Sequence, residues 1–194
     1  MNTPRLVLAS TSPYRRTLLE RLQLPFEVRA PGVDEAALPG ESPRETAFRL
    51  AQSKARSVAS SCPGALVIGS DQVATLNGVH LGKPGNHGNA VVQLKAMRGK
   101  SVVFHTALAL LNTVTDNLQA AEVPTTVHFR HYEDSEVERY LAREQPYDCA
   151  GSAKIEALGI AMVERVTGDD PSALIGLPLI ALAAMLRKEG VTVV

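Results

Sequence analysis

The chain has 194 residues, of which 45% are hydrophobic and 21% charged, so it is long enough to bury a stable core. Twenty basic residues balance twenty acidic ones, and this zero net charge provides no general field to attract DNA or an acidic membrane. The sequence has no signal-peptide layout and no apolar run long enough to span a bilayer. Cys62 and Cys149 lie outside any CxxC pair, which argues against a disulfide framework. We therefore expect a cytoplasmic protein with neither a nucleic-acid partner nor a membrane partner.

Apolar runs alternate with helical patterns in the first half of the chain, which predicts an α/β fold. Ser42, Pro43 and Glu45 form the capping-box signature of a helix start, and Asn77-Gly78 is typical of a two-residue hairpin turn. The predicted elements are a strand over 6–9, a helix over 14–22, a strand over 26–29, a loop over 31–41, a helix from Pro43, a short strand over 65–70 that ends before Asp71 and Gln72, and a hairpin over 73–81.

The second half continues the mixture and contains no internal repeat or linker. The predicted elements are a helix over 89–97, strands over 101–111 and 125–130, a helix over 135–143, a strand over 159–166 and a helix over 178–189 that Gly190 ends. We expect a single domain over residues 1–194 with two lobes.

Several local patterns are candidates for chemistry, and each has a plain structural alternative. The loop from Ser10 to Arg16 lies between a strand and a helix, where backbone N–H groups, hydroxyls and Arg15 could bind phosphate, but an ordinary helix cap looks the same. Asp34 and Glu35 could bind a hard cation such as Mg²⁺ or be solvated loop charges.

Lys54 shares a helix face with the apolar residues Ala47, Leu50 and Val58. Its side chain either extends to water or reaches a substrate phosphate. Asp71 follows a buried strand, the usual position for active groups in an α/β sheet, where it could bind metal and deprotonate a water, or simply cap the strand.

Lys83, in the turn Gly82-Lys83-Pro84, is either a further phosphate cation or an exposed turn residue.

The absence of several well-known motifs excludes common classes of enzyme. The five histidines lack the spacing of a zinc site, and no HExxH, P-loop or GxSxG motif is present.

The order of these patterns along the chain closely resembles that of the Maf nucleotide pyrophosphatases. The motifs are LASTSPYRR, VDE (33–35), RLAQSKA (49–55), GSDQV (69–73), GKP (82–84), AGSAKIEALG (150–159) and IGLPL (175–179), which together cover nearly the whole chain.

The resemblance implies a curved mixed β-sheet flanked by helices, with two lobes around a central cleft, as in the Maf/Ham1 and ITPase-like folds. It also implies a homodimer and a divalent metal cofactor (Mg²⁺, Mn²⁺ or Co²⁺). At the matching positions, Asp71 is the expected proton acceptor and shares the metal with Glu35. The expected phosphate-binding residues are Ser10, Arg15, Lys54 and Lys83.

Three positions separate the branches of the family. The branch acting on dTTP and UTP has Arg, Thr and Gln there, whereas this chain has Tyr14, Gln72 and Glu156. The latter set resembles the 7-methyl-GTP branch, whose pattern is Trp, Gln and Glu, with Tyr14 departing from the Trp.

The chemistry of these side chains agrees with that branch. An aromatic ring attracts the positively charged methylated base, and a carboxylate accepts hydrogen bonds from guanine N1–H and its amino group. We therefore expect hydrolysis of 7-methyl-GTP to 7-methyl-GMP and pyrophosphate, by metal-assisted attack of water at the α-phosphorus. The alternatives are a dTTP/UTP or broad-specificity pyrophosphatase and a non-catalytic nucleotide-binding regulator of cell division.

Overall fold

The computed structural model describes residues 4–194, which divide into two compact units. Unit 1 contains residues up to Gln72, then Thr106–Val123 and Asp170–Val194. Unit 2 contains Val73–His105 and Pro124–Asp169. Each unit therefore combines segments that are distant in the sequence.

Seven strands and five α-helices make up the regular structure of the described residues. The strands are β1 (Arg5–Ala9), β2 (Phe26–Arg29), β3 (Ala65–Leu76), β4 (Val79–Leu81), β5 (Ser101–Asn112), β6 (Asn117–Phe129) and β7 (Val163–Thr167). The helices are α1 (Pro13–Glu20), α2 (Pro43–Ala59), α3 (His87–Met97), α4 (Asp134–Glu144) and α5 (Leu179–Lys188), with three short 3₁₀ turns at Ala150–Ser152, Leu158–Met162 and Ala173–Ile175.

The strands form a mixed sheet in the order β2-β1-β3-β5-β6-β7, with β4 paired to β3. The pairs β1–β2 and β1–β3 are parallel, whereas β3–β4 and β6–β7 are antiparallel. The predicted α/β class with a mixed sheet and flanking helices is therefore confirmed. The central cleft remains a prediction.

The core of unit 1 is built mainly from leucines. Leu6 and Leu8 of β1 pack with Leu66 and Ile68 of β3, where each strand presents its buried run of aliphatic side chains. Helices α1 and α5 cover this cluster with Leu18, Leu19, Leu182, Met185 and Leu186. In unit 2, the Tyr132 hydroxyl donates to the Leu94 carbonyl (2.6 Å), so a buried aromatic side chain joins the segment before α4 to α3.

Three predicted local signals are confirmed. In the capping box of α2, the Ser42 amide donates to Glu45 Oε2 (2.8 Å) and the Glu45 amide donates to Ser42 Oγ. Asn77 and Gly78 both have positive φ, and Leu76 pairs with Val79 across the two-residue turn. Gly190 ends α5 in a left-handed conformation, with its amide bonded to the Arg187 carbonyl.

Three predicted boundaries are wrong. Strand β6 begins at Asn117, eight residues before the predicted start at Thr125. Strand β3 does not end at Ser70 but continues through Asp71 and Gln72 to Leu76, so Asp71 lies within a strand and not at its carboxyl end. The polar residues do not break the strand because their side chains find partners, as described below. The predicted strand over 159–166 instead begins as a 3₁₀ turn, and only Val163–Thr167 is extended.

Gly69 lets β3 approach the backbone of α2. A Cβ atom at this position would lie 2.1 Å from the Ala51 carbonyl oxygen and 2.8 Å from the Ala55 amide nitrogen. The small side chains of Ala51 and Ala55 complete this close contact. Residues Lys54 and Asp71 lie on the two elements that meet here.

Replacing Gly69 with Ala should therefore destabilise the protein by more than about 3 kcal/mol, the upper range for overpacking, because rigid backbone cannot yield as a side chain can. Urea unfolding monitored by circular dichroism measures this loss. Gly88→Ala is the matched control, since its Cβ would only meet Asn86 Oδ1 at 3.6 Å, in a helix where Ala is preferred. Equal stability of the two variants would contradict the close contact.

Candidate functional site

A buried lysine bridges two carboxylates in unit 1. The Nζ atom of Lys54 lies 2.6 Å from Asp71 Oδ1 and 2.6 Å from Glu35 Oε1. Lys54 is 3% exposed and Asp71 6%, whereas 59% of the Glu35 side chain is accessible. We call Lys54, Asp71 and Glu35 the Lys54 cluster.

The neighbouring residues on α2 and β3 explain why this lysine is buried. Ala47, Leu50 and Val58, which share its helix face, are all buried, so the stem of Lys54 lies in an apolar layer. Only 4% of its side chain is accessible, so the side chain does not simply extend to water. A buried ammonium requires a carboxylate partner, and Asp71 is the buried one.

The loop that carries Glu35 is attached to α2 by a second ion pair. Arg49 donates from Nε to Glu41 Oε1 (2.6 Å) and from a terminal nitrogen to the Ala36 carbonyl (2.9 Å). These bonds fix the loop residue next to Glu35. Asp34, the other loop acid, instead accepts a hydrogen bond from the Ala36 amide (3.0 Å).

The predicted phosphate loop also belongs to unit 1. Ser10 is buried, and its hydroxyl accepts a hydrogen bond from the Ser12 amide (3.1 Å), while Ser12 caps α1. Tyr14 and Arg15 are half-buried in the first turn of α1. Burial lowers the pKa of Arg15, and the charges of Asp71 and Glu35 act in the opposite direction. The negative charge of these two acids therefore favours the protonated form of Arg15.

Gln72 has a structural role beyond the specificity role expected from the sequence. Its amide nitrogen donates to Thr106 Oγ1 (2.9 Å) and to the carbonyls of Ala173 and Leu174 (both 3.0 Å). The side chain thus links β3 to β5 and to the 3₁₀ turn Ala173–Ile175.

Lys83 and Glu156 belong to unit 2 and are both exposed. The loop of Lys83 is held by Gln93, which donates to the Gly82 carbonyl (2.9 Å), and by Asn89, which donates to the Pro84 carbonyl (2.9 Å). Glu156 lies between the turn Ala150–Ser152 and the turn Leu158–Met162. The roles of both residues in substrate binding remain predictions.

No role was predicted from the sequence for Arg49, Ser70 or Gly176. Ser70 is fully buried within β3, and its hydroxyl lies 2.8 Å from the carbonyls of Ala107 and Gly176. Arg49 and Gly176 both occur in the quoted motifs RLAQSKA and IGLPL, so the signal was present. Their functions depend on contacts between distant segments, which a linear motif does not reveal.

The Lys54 cluster offers oxygen ligands of the type that a hard divalent cation prefers. Among residues 4–194, no three His, Cys, Asp or Glu side chains are grouped so that they could hold a metal ion. Two carboxylates, those of Glu35 and Asp71, both contact Lys54 Nζ and therefore lie close together. Mg²⁺ sites in nucleotide enzymes commonly use one or two carboxylates together with substrate phosphates and waters. The donor set therefore fits a cation that is bound jointly with substrate.

Comparison with known proteins identifies one family and several close relatives. The family model described as Maf-like protein matches residues 5–189. Proteins named 7-methyl-GTP pyrophosphatase from Methylobacillus flagellatus and Thiobacillus denitrificans are each 60% identical over 98% of this chain, covering 100% and 95% of their own lengths. The protein of that name from Aromatoleum aromaticum is 59% identical, with 98% of each chain covered.

A solved structure was also found. It is described as a nucleoside-triphosphatase / dITP/XTP pyrophosphatase from Mycobacterium abscessus and aligns with a TM-score of 0.41 at 18% identity, over 66% of this chain and 75% of that one. Within residues 4–194, no helix has the length and apolar character needed to cross a membrane.

Lys54→Met should lower the free energy of unfolding by about 3–5 kcal/mol, because it leaves the Asp71 carboxylate buried without its cation. Adding Asp71→Asn removes that charge and should restore part of the loss. Lys95→Met is the matched control: its ion pair with Asp134 is exposed (43% and 60%), so its loss should cost about 1 kcal/mol or less. Guanidinium titrations of the four proteins measure these values, and equal losses for the two lysine variants would contradict the buried pair.

The Glu41–Arg49 pair predicts a defined pH dependence. The hydrogen bond from Arg49 and the Leu38 amide lower the pKa of Glu41 from 4.5 to about 2. Because the folded-state pKa is depressed, the stabilisation is complete above about 4.5 and is lost as the pH falls towards 2. Glu41→Gln should therefore lower the melting temperature at pH 7 but not near pH 2. A difference that persists unchanged at pH 2 would contradict this assignment.

Proposed function

Because the chain belongs to the Maf family, we propose that it is a nucleoside triphosphate pyrophosphatase that hydrolyses 7-methyl-GTP to 7-methyl-GMP and pyrophosphate. The observation that supports this proposal best is the Lys54 cluster, in which a buried acid lies 2.6 Å from a buried cation. The three relatives named above support it, since each bears the name of this activity and aligns with this chain over 95% or more of its own length.

Asp71 is the proposed proton acceptor. A water molecule attacks the α-phosphorus and transfers a proton to the Asp71 carboxylate, while the bond between the α-phosphorus and the bridging oxygen breaks and pyrophosphate leaves. Lys54 holds this acid in place, because its ammonium donates a hydrogen bond to Asp71 Oδ1 over 2.6 Å. A base held in a fixed position is what general base catalysis requires.

The cations of the site bind the triphosphate. Arg15, in the first turn of α1, and Lys54 are proposed to supply the positive charge in unit 1, and Ser10, in the loop before α1, is proposed to supply a hydroxyl. Lys83 is proposed to bind phosphate as well. Preorganised cations of this kind stabilise the charge that develops on the leaving pyrophosphate.

A divalent cation (Mg²⁺, Mn²⁺ or Co²⁺), held by Glu35 and Asp71 together with the substrate, would offset phosphate charge and acidify the attacking water. The charges of the Lys54 cluster and Arg15 agree with this requirement. Lys54 and Arg15 only balance Asp71 and Glu35, so these four groups leave the charge of a triphosphate uncompensated.

The base is proposed to be recognised by Tyr14 and Glu156. The phenol ring attracts the cationic 7-methylguanine, and the carboxylate accepts hydrogen bonds from its N1–H and amino group. Uracil and thymine present mainly acceptors at the corresponding edge and would gain nothing from a carboxylate.

Asp71→Asn should lower kcat for 7-methyl-GTP by about 10²–10⁴-fold, the usual contribution of a general base, because an amide cannot accept the proton. Nucleotide binding should persist, and calorimetric titration with the substrate in the presence of Mg²⁺ tests this. Asp116→Asn is the control, since Asp116 is an exposed residue of a turn in unit 1. Near-normal turnover of the Asp71 variant would refute the proton-acceptor role.

Glu156→Gln should lower kcat/KM for 7-methyl-GTP roughly ten- to hundredfold, the loss expected for hydrogen bonds to a charged group, and should raise the relative preference for UTP. Initial rates over a panel of triphosphates, with pyrophosphate as the measured product, give both quantities. Glu164→Gln, an exposed residue of β7, is the matched control in the same unit. A wild-type preference for dTTP or UTP would refute the substrate assignment itself.

A further inference from the structure

We propose that Gly176 is a positioning residue whose backbone carbonyl orients the guanidinium of Arg15, so that the terminal nitrogens of Arg15 remain available for the substrate phosphates. This inference rests on the pyrophosphatase function proposed above. It assigns a role to a glycine that does not itself contact the substrate.

The contact between the two residues is specific. Arg15 Nε donates a hydrogen bond to the Gly176 carbonyl oxygen over 2.9 Å, although the residues are 161 positions apart in the sequence. A guanidinium has five N–H donors in a planar fork, and Nε carries one of them. When that donor is bound, the four N–H groups of the terminal nitrogens remain for bidentate binding of phosphate oxygens.

The backbone at Gly176 favours glycine. Its φ of 116° and ψ of 7° place it in a region that residues with side chains rarely adopt. A Cβ atom would also lie 3.4 Å from Arg15 Nε and 3.9 Å from Arg15 Cγ. These are ordinary van der Waals distances, so it is the backbone conformation that requires glycine here, and a side chain would strain the turn that presents the carbonyl to Arg15.

Neighbouring strands hold this turn in place. The Ser70 hydroxyl lies 2.8 Å from the same Gly176 carbonyl oxygen. Gln72 donates to the Ala173 carbonyl, and Thr106 Oγ1 donates to it as well (2.9 Å). The carbonyl that Arg15 contacts is thus part of a turn tied to β3 and β5.

The segment around the turn is fixed by Asp170, which is buried. Its carboxylate accepts hydrogen bonds from the Ser172 amide (3.0 Å) and from the Ile180 amide at the start of α5 (2.7 Å). The Ser172 hydroxyl in turn accepts from the Leu179 amide (2.7 Å). With both ends anchored, the Gly176 carbonyl can act as a fixed acceptor, which is how a supporting residue keeps a binding group preorganised.

A double-mutant cycle tests whether Gly176 acts through Arg15. In the wild-type background, Gly176→Ala should raise KM for 7-methyl-GTP roughly tenfold, as expected when a charge-assisted phosphate contact is misaligned, with a smaller change in kcat. In an Arg15→Ala background, the same substitution should change KM less than about threefold, because the group it orients is gone. Equal fold-changes in the two backgrounds would overturn the proposal.

Gly190→Ala is the matched control for backbone strain. Gly190 also has positive φ (77°) and lies in unit 1, but a Cβ there would meet nothing within 4 Å. This variant should lose thermal stability and keep the wild-type KM; a comparable rise in KM would mean that strain alone explains the effect. An inactive wild-type protein would refute the proposed function, whereas additive losses in an active protein would refute only the role of Gly176.

If Gly176→Ala does not fold, a second variant, Thr106→Val, tests the same proposal. Thr106→Val keeps the shape of the side chain but removes its hydrogen bonds to Gln72 and to the Ala173 carbonyl. It should raise KM by about two- to threefold in the presence of Arg15 and leave KM unchanged in its absence, since only one neutral bond of the turn is lost. A rise of the same size in both backgrounds would again overturn the proposal.

Discussion

The buried ammonium of Lys54 is the constraint on which the arrangement of unit 1 depends. An isolated charge in a protein interior is strongly unfavourable, so the residues around Lys54 must supply a counter-charge at hydrogen-bond distance. Asp71 meets this requirement at 2.6 Å, and Glu35 adds a second, more accessible carboxylate. The two acids are fixed by the lysine before any substrate arrives, which is the kind of preorganisation that catalysis needs.

The rest of unit 1 serves to bring these groups together. The missing side chain at Gly69 brings β3 against α2, and Arg49 attaches the loop of Glu35 to the same helix. The turn before α5 contacts Arg15, whose Nε donates a hydrogen bond to the Gly176 carbonyl. Glycine thus contributes twice, once by allowing two backbones to approach and once by allowing a carbonyl to face an arginine.

The elements with strong local signals could be predicted from the sequence. The capping box at Ser42 and the Asn77-Gly78 turn are determined by a few adjacent residues, and both are confirmed. The predicted end of β3 is wrong because Ser70, Asp71 and Gln72 form a polar stretch of the kind that often ends a strand. In the structure, these polar side chains are satisfied by carbonyls and a lysine from distant segments, so the strand continues.

In the candidate site, too, the sequence predicts which residues take part but not the contacts that they make with distant segments. The family motifs identified Lys54, Asp71, Glu35 and Arg15, and all four belong to unit 1 with the contacts described. The burial of Lys54 could not be read from its helical spacing, because the same pattern is typical of a lysine whose stem covers apolar surface. The contact of Gly176 with Arg15 could not be predicted from the sequence, because it is made by a backbone carbonyl, which no side-chain pattern indicates.

The most direct test of the Lys54 cluster as a phosphate site is a crystal structure with a non-hydrolysable analogue of 7-methyl-GTP in which the bond to the leaving group is an imido link. We expect the triphosphate to contact Lys54 Nζ and the terminal nitrogens of Arg15, with the Asp71 carboxylate within about one water molecule of the α-phosphorus, as a general base requires. An analogue bound with its phosphates away from these three residues would contradict the account.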